Sequence, residues 1–199
     1  NDGSLDLAML KEFNVSGLLT KTGFGKLGGQ LRCAYSFALD KGYDGIITID
    51  GNNKDKPEPI IEFISALKNG FDFVQASRFV RGGVGINTPI SRWLAIKFIH
   101  APILSLFSGF RWTDTTQGFR GYSRRMLLDE EISLFRDVFQ EYELLAYLNY
   151  RAPILNFKCI EIATTRIYPK GVVPTKIQGI NGQIKLLTTL FSTCFKKYN

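Results

Sequence analysis

The chain holds one histidine and three cysteines in 199 residues, and these scarcities narrow its chemistry. His100 lies in an apolar stretch and reads as a packed or interfacial residue, not a catalyst. Cys33, Cys159 and Cys194 are odd in number and widely spaced. They form no metal-binding pattern and suggest a reducing compartment. No signal peptide, internal repeat or low-complexity tract is visible. Charged residues make up only 22% and hydrophobic ones 45%, the balance of a globular rather than a disordered chain. The length suffices for one domain, 1–199, with a real core. The chain opens at Asn1-Asp2-Gly3-Ser4 without a methionine, as though in mid-fold.

Positive charge is what the sequence does have. A net charge of +7 favours an anionic partner: nucleotide phosphates, nucleic acid or an acidic membrane surface. The charge is scattered, and the phenylalanines sit mostly in apolar runs rather than on an alternating basic face. That pattern argues against nucleic acid.

Strand and helix signals alternate through the first half. Gly17-Leu18-Leu19-Thr20 reads as a short strand. Residues 28–39 read as a helix with Leu31, Ala34, Tyr35 and Ala38 on one face. Residues 46–50 read as a strand, and 59–69 as a helix with Ile60, Ile61, Ile64 and Leu67 apolar and Gly70 as its stop. Residues 71–76 are a further strand. This order predicts an α/β fold with a mainly parallel sheet flanked by helices. The glycine-rich connection over 81–89 reads as a mobile loop. Two later segments, 93–110 and 177–195, mix apolar runs with lysines. Lys97, His100 and Pro102 make the first a poor spanning helix, and an amphipathic element in a membrane interface fits better, anchored by Trp93 and Lys97. Packing in the core or in a dimer contact is the alternative for both.

Asp50 is the most telling residue. It ends the run Ile46-Ile47-Thr48-Ile49, whose β-branched residues suit a buried strand, and Gly51-Asn52 follow. In open α/β sheets, ligands bind beyond the carboxyl ends of the strands. A carboxylate there, with an oxygen ligand two residues on, can hold a hard divalent cation against a diphosphate. An ordinary Asp-Gly turn would look the same. Gly23-Phe24-Gly25-Lys26-Leu27-Gly28 also spells G-x-G-x-x-G, with Asp50 roughly 20 residues on, as in a dinucleotide fold. That reading is weaker, because the later motifs have no part in hydride transfer. The glycines and Lys26 can still approach a diphosphate.

The remaining motifs come in a distinctive order. Asn1-Asp2-Gly3-Ser4 is followed by the glycine turn, Asp50-Gly51-Asn52, Ala76-Ser77-Arg78-Phe79 and Arg92. Then come Asp114-Thr115-Thr116-Gln117-Gly118-Phe119-Arg120, Glu141, Glu143, Arg166, Gly171 and Thr175-Lys176. The series resembles the family 2 glycosyltransferases of GT-A fold, and within them the dolichyl- or polyprenyl-phosphate sugar transferases. The resemblance implies a nucleotide-diphospho-sugar transferase fold, Rossmann-like, covering nearly the whole chain. It implies that Asp2 and Gly3 contact the nucleoside, and that Asp50 and Asn52 hold a divalent metal, Mg or Mn, and the donor diphosphate. It implies that Arg78 and Arg92 face the acceptor phosphate, that Asp114 lies near the reaction centre, and that Arg166 and Lys176 belong to a basic loop over the phosphates. Extra residues precede Pro174, so Lys170 can take the arginine role. Relatives also carry strands before the Asp-Gly-Ser turn, so the N-terminal strands are expected to be missing here.

The chemistry fits the implied roles. A leaving diphosphate develops negative charge that cations offset. A lipid phosphate is already a nucleophile, with a second pKa of about 6, and needs arginines rather than a base. A sugar hydroxyl would require a carboxylate base, for which Asp114 and Glu141 are the candidates. Asp114→Asn is then expected to abolish hydroxyl transfer but only slow transfer to a phosphate. Two departures matter. Asn52 replaces the second aspartate of D-x-D, and Lys54 stands where relatives can offer a neutral metal ligand. Either Asp55 compensates, or Lys54 itself neutralises the diphosphate and the metal is weakly held. Activity unchanged in excess chelator is the expected sign of the second case.

The resulting expectation is a peripheral enzyme on the cytoplasmic face of a membrane. It would move one sugar from a nucleoside diphosphate sugar to a polyprenyl phosphate by an inverting displacement, with a membrane-embedded partner subunit possible. A glycan hydroxyl acceptor, or a non-catalytic subunit of the same fold, are the alternatives.

Overall fold

The computed structural model describes residues 7–13, 15–170, 179–195 and 197–198. The elements run α1 (Leu7–Glu12), α2 (Leu27–Asp40), β1 (Gly45–Thr48), α3 (Ile60–Lys68), β2 (Phe73–Ser77) and β3 (Val84–Ile86). Next come α4 (Ile90–Ala95), a π-helical turn (Ile96–His100), α5 (Ala101–Ser108), β4 (Arg120–Ser123) and α6 (Arg124–Leu127). The last are α7 (Glu143–Ile154), β5 (Cys159–Ala163), β6 (Thr165–Ile167) and α8 (Gly179–Cys194).

Four strands form one sheet in the order β1-β4-β2-β5. Within this sheet β4 is antiparallel to both β1 and β2, while β2 and β5 pair in parallel. The expected mainly parallel sheet is therefore a mixed one among the described residues. The cause is β4, which returns between two strands that run the same way. Its sequence, Arg120-Gly121-Tyr122-Ser123, is not an apolar run, and periodicity carries no sign of direction. Gly121 makes the insertion fit, because a Cβ there would lie 3.3 Å from both Phe63 and Val74.

Two further expectations are corrected. Residues 15–22 carry no strand, so the run Gly17–Thr20 finds no ladder among the described residues. The connection over 81–89 contains β3, which pairs in parallel with β6 as a second, two-stranded sheet. Its glycines serve close packing: a Cβ on Gly83 would lie 2.5 Å from the Ser77 carbonyl oxygen.

The core sits on both faces of the main sheet, as the two-residue period of a strand requires. Phe73 points to one side, among Tyr35, Trp112, Tyr122 and Leu148. Val74 and Ala76 point to the other, with Phe63, Phe119 and Ile162. Phe63 of α3 stacks on Phe119 with ring centroids 4.3 Å apart. Each such fully buried ring contributes about 2 kcal/mol by area. In α3 the inward residues are Phe63 and Ala66, while Ile61 and Ile64 face outward.

Helical turns run without a break from Ile90 to Ser108, a span long and apolar enough by length and composition to cross a membrane. The interruptions expected to break it do not. Pro102 cannot donate to the Phe98 carbonyl, and the π turn lies just before it, where its wider bonding tolerates that loss. Ile96, Ala101 and Leu104 are buried, while Ile90, Phe98 and Leu106 are open to solvent. α8 is similarly two-sided, with Leu190 and Cys194 buried and Phe191 exposed, as is Phe195 just past its end. Residues 177–178 of the second segment lie outside the described residues.

Candidate functional site

The site forms where β1, β2 and β6 end. Asp50 follows β1 by two residues, and Thr48 Oγ1 donates to the Gly118 carbonyl at 2.8 Å. That bond ties the Asp50 turn to the segment before β4. A Cβ on Gly118 would lie 2.3 Å from Asp50 Oδ1, so only glycine lets the carboxylate lie against this backbone. Asn52 Oδ1 accepts from the Lys54 amide at 3.2 Å, an Asx turn that reverses the chain. Asn53 within that turn has φ +53°.

The turn carries Lys54 and Asp55 inward, where both are buried. Asp55 forms an antiparallel bridge with Arg166. The Ile167 amide donates to the Lys54 carbonyl at 2.7 Å, and the Lys56 amide to the Thr165 carbonyl at 3.0 Å. This pairing fixes Arg166 between two carboxylates. Its Nη1 bonds Asp55 Oδ2, and its Nη2 lies 3.2 Å from Asp50 Oδ2. Burial alone would lower the Arg166 pKa, but Asp55 beside it holds it above the ordinary value. Burial raises the Asp55 pKa despite Arg166. Burial, with Arg166 and Arg92 nearby, lowers that of Lys54.

Arg78, one residue past β2, is anchored from the other side. Its Nε and Nη2 bond Asp114 at 2.7 and 3.0 Å, and its Nη2 also bonds Thr116 Oγ1 at 2.9 Å. Asp114 is fully buried and also accepts from Gln117 Nε2 at 2.8 Å. Burial alone would raise its pKa, but the Arg78 guanidinium and these hydrogen bonds hold it below the ordinary carboxylate value. A carboxylate so engaged is a poor general base. Its work here is to aim Arg78. Glu141 is paired with Lys26 at 2.9 Å.

Two residues that the sequence reading passed over complete the site. Tyr168, directly after β6, accepts from Arg78 Nη1 at 3.1 Å and from Arg92 Nη1 at 3.2 Å. Lys54 Nζ lies 5.3 Å from its ring centroid, and the guanidinium carbons of Arg92 and Arg166 at 5.6 and 5.7 Å. Burial would raise the Tyr168 pKa, but Arg78, Arg92 and Arg166 together bring it below the ordinary phenol value. The available signal was the spacing Arg166-Ile167-Tyr168, which puts 166 and 168 on one side of an extended chain. Glu161 in β5 is the second. It accepts from the amides of Thr113 and Asp114 and from Thr113 Oγ1, and so holds the Asp114 loop. Burial pushes its pKa up to about 7. A lone carboxylate inside Cys159-Ile160-Glu161-Ile162 was its signal.

No protein-family model matches the chain. Over 139 residues it is 26% identical to an undecaprenyl-phosphate mannosyltransferase of Micrococcus luteus, covering 70% of this chain and 56% of the relative. Over 148 residues it is 27% identical to a polyprenol monophosphomannose synthase of Mycolicibacterium smegmatis, covering 74% and 55%. The chain resembles polyprenyl-phosphate mannosyltransferases. It spans about half the length of these curated relatives.

The structure brings Asp50, Lys54, Arg78, Arg92, Asp114 and Arg166 together around Tyr168. Lys26, largely exposed, pairs with Glu141 rather than with these groups. The glycine turn is packed against protein, since a Cβ on Gly28 would lie 2.5 Å from the Phe139 carbonyl oxygen. Asp2, Gly3 and Lys176 lie outside the described residues. The metal implied at Asp50 and Asn52 does not fit the donors present. Divalent ions of this kind rest on one or two protein carboxylates beside substrate phosphates and water, so the test is whether Asp50 is open to one. Here Asp50 Oδ2 faces the Arg166 guanidinium and, at 3.4 Å, the Asn52 amide nitrogen, while Asn52 Oδ1 faces the Lys54 amide. Among the described residues no three His, Cys, Asp or Glu side chains cluster to hold a metal ion.

Proposed function

We propose that this chain is the catalytic part of a glycosyltransferase of GT-A fold. It moves a sugar, mannose being the first to test, from a nucleoside diphosphate donor to a polyprenyl phosphate. The observation that carries the reading is the convergence of Arg78 Nη1 and Arg92 Nη1 on one oxygen, that of Tyr168. Two guanidinium groups aimed at a single oxygen form the geometry that holds a phosphate. The resemblance to the two mannosyltransferases supports the same acceptor class.

In this mechanism Arg92 orients the acceptor phosphate, and Arg78, buried behind it, shares the Tyr168 oxygen and adds its charge. One of its oxygens attacks the anomeric carbon as the bond from that carbon to the donor diphosphate breaks. The electron pair leaves with the nucleoside diphosphate, and the anomeric configuration inverts. Lys54 and Arg166 offset the charge that grows on the leaving group. The phosphate oxygen is deprotonated near neutral pH, so no base is required. The engaged state of Asp114 agrees with that, and disfavours a glycan hydroxyl as acceptor. The open apolar sides of 90–108 and α8, with Phe98, Leu106 and Phe195 exposed, would rest on the cytoplasmic face of the membrane that holds the lipid. A membrane-embedded partner subunit is compatible with that face.

The test is transfer in detergent from a panel of GDP- and UDP-sugars to polyprenyl phosphate, read by mass spectrometry. The expected product is a sugar phosphoprenol from one donor, with none from the matching prenol that lacks a phosphate. Transfer to the free prenol, or to neither, would overturn the reading.

A further inference from the structure

We infer that the donor diphosphate is held here without a metal ion, by Arg166 and Lys54 acting as built-in cations. The inference rests on the proposed donor site and goes beyond it, since relatives of this type are expected to hold a metal at the matched position.

Arg166 is not a surface residue that happens to reach Asp50. Its side chain is 7% exposed, against 34% for Asp50. Its position follows from the backbone bridge to Asp55 and the two amide bonds that flank it. The guanidinium therefore belongs to the framework, with one nitrogen committed to Asp55 and another 3.2 Å from Asp50. A divalent ion on Asp50 Oδ2 would have to displace that guanidinium. It would also have to displace the Asn52 amide group, whose nitrogen lies 3.4 Å from the same oxygen.

Asn52 cannot simply turn to offer its oxygen instead. Oδ1 closes the Asx turn on the Lys54 amide, and that turn is what buries Lys54. The same residue that removes a metal ligand thus delivers an ammonium group into the site. Lys54 Nζ ends 5.3 Å from the centre of the Tyr168 ring, whose other neighbours are Arg92 and Arg166. Arg166 balances Asp55 and is shared with Asp50, and Lys54 adds a second positive charge at the same end of the site. A fixed pair of donors also meets the non-bridging oxygens of a diphosphate by hydrogen bonds, which a bare charge does not.

The experiment is calorimetric titration of GDP and UDP into the full chain, in excess EDTA and in excess manganese, with manganese binding to the protein alone followed by electron paramagnetic resonance. One nucleotide is expected to bind with the same Kd, within about threefold, in both conditions, with no bound manganese signal. Lys54→Gln is expected to weaken binding in EDTA by about tenfold, with manganese restoring none of it. Tightening of more than about tenfold on adding manganese to the unaltered protein would overturn the inference while leaving the transferase reading intact. Metal-free diphosphate binding without transfer to polyprenyl phosphate would do the reverse. Absence of nucleotide binding in both conditions would overturn both.

Discussion

Arg78 and Asp114 form a two-point ion pair that solvent does not reach, with side chains 1% and 0% exposed. The pair joins the loop after β2 to the loop before β4, across 36 positions of sequence. It is itself held by Glu161, whose carboxylate takes the Thr113 and Asp114 amides. At its far end Arg78 meets the Tyr168 hydroxyl. A chain of support thus runs from the sheet to the point where a phosphate would sit.

Asp114→Asn breaks this pair and leaves a buried guanidinium without its counter-charge. The expected loss is about 3 kcal/mol or more of stability, measured by urea unfolding. Transfer to a phosphate acceptor, which the sequence alone left merely slowed, is expected to fall steeply, because Arg78 loses its aim. The substitution therefore reports on positioning and not on a missing base. Full activity in the variant would show that Arg78 does not depend on Asp114.

Tyr168→Phe keeps the ring under Lys54 and Arg166 and removes only the hydroxyl. Arg78 and Arg92 then lose the oxygen they share. Stability is expected to drop by about 1 kcal/mol. The KM for polyprenyl phosphate is expected to change by several-fold or more, while that for the sugar nucleotide moves little. An equal change in both constants would mean that Tyr168 serves the whole cleft rather than the acceptor end.

Glu161 makes a pH prediction. Its pKa is raised by burial from 4.5 to about 7. The folded protein therefore keeps a proton that the unfolded chain has released. This contribution to stability is fully present below about pH 4.5 and is lost as the pH rises through about 7. The loss is at most about 3 kcal/mol. Thermal midpoints followed from pH 4.5 to pH 8 should show it, and Glu161→Gln should flatten that part of the profile. An unchanged profile in the variant would assign the slope to other groups.

Phe98 and Leu106 are 65% and 80% exposed. Changing both to serine is expected to leave folding stability within about 0.5 kcal/mol. Flotation with anionic liposomes is expected to fall sharply. Undiminished flotation would place the membrane contact elsewhere on the molecule.

Much of this was legible in the sequence. The β-branched run before Asp50 marked β1, and the apolar spacing of 28–39 and 59–69 marked α2 and α3. The ordered motifs named Asp50, Arg78, Arg92, Asp114 and Arg166, and the structure gathers all five around one tyrosine. These features are readable because helix and strand periods are local, and because each motif lies within a few residues of an element end.

Other features were decided only by the tertiary structure. The direction of β4 depends on how the chain returns after residues 78–119, which no local period records. Lys54 reads as opposed to a metal, offset by Asp55 or itself neutralising the diphosphate; that the Asx turn at Asn52 buries it is not legible in the sequence. Asp114 looked like a candidate base, until Arg78 and Gln117 took up its oxygens. Tyr168 carried no motif, because its role comes from residues 76 and 90 positions away meeting at its hydroxyl. Local sequence specifies which side chains stand at the ends of strands. Only the packing of those strands decides which charges converge, and in a buried site that convergence sets the chemistry.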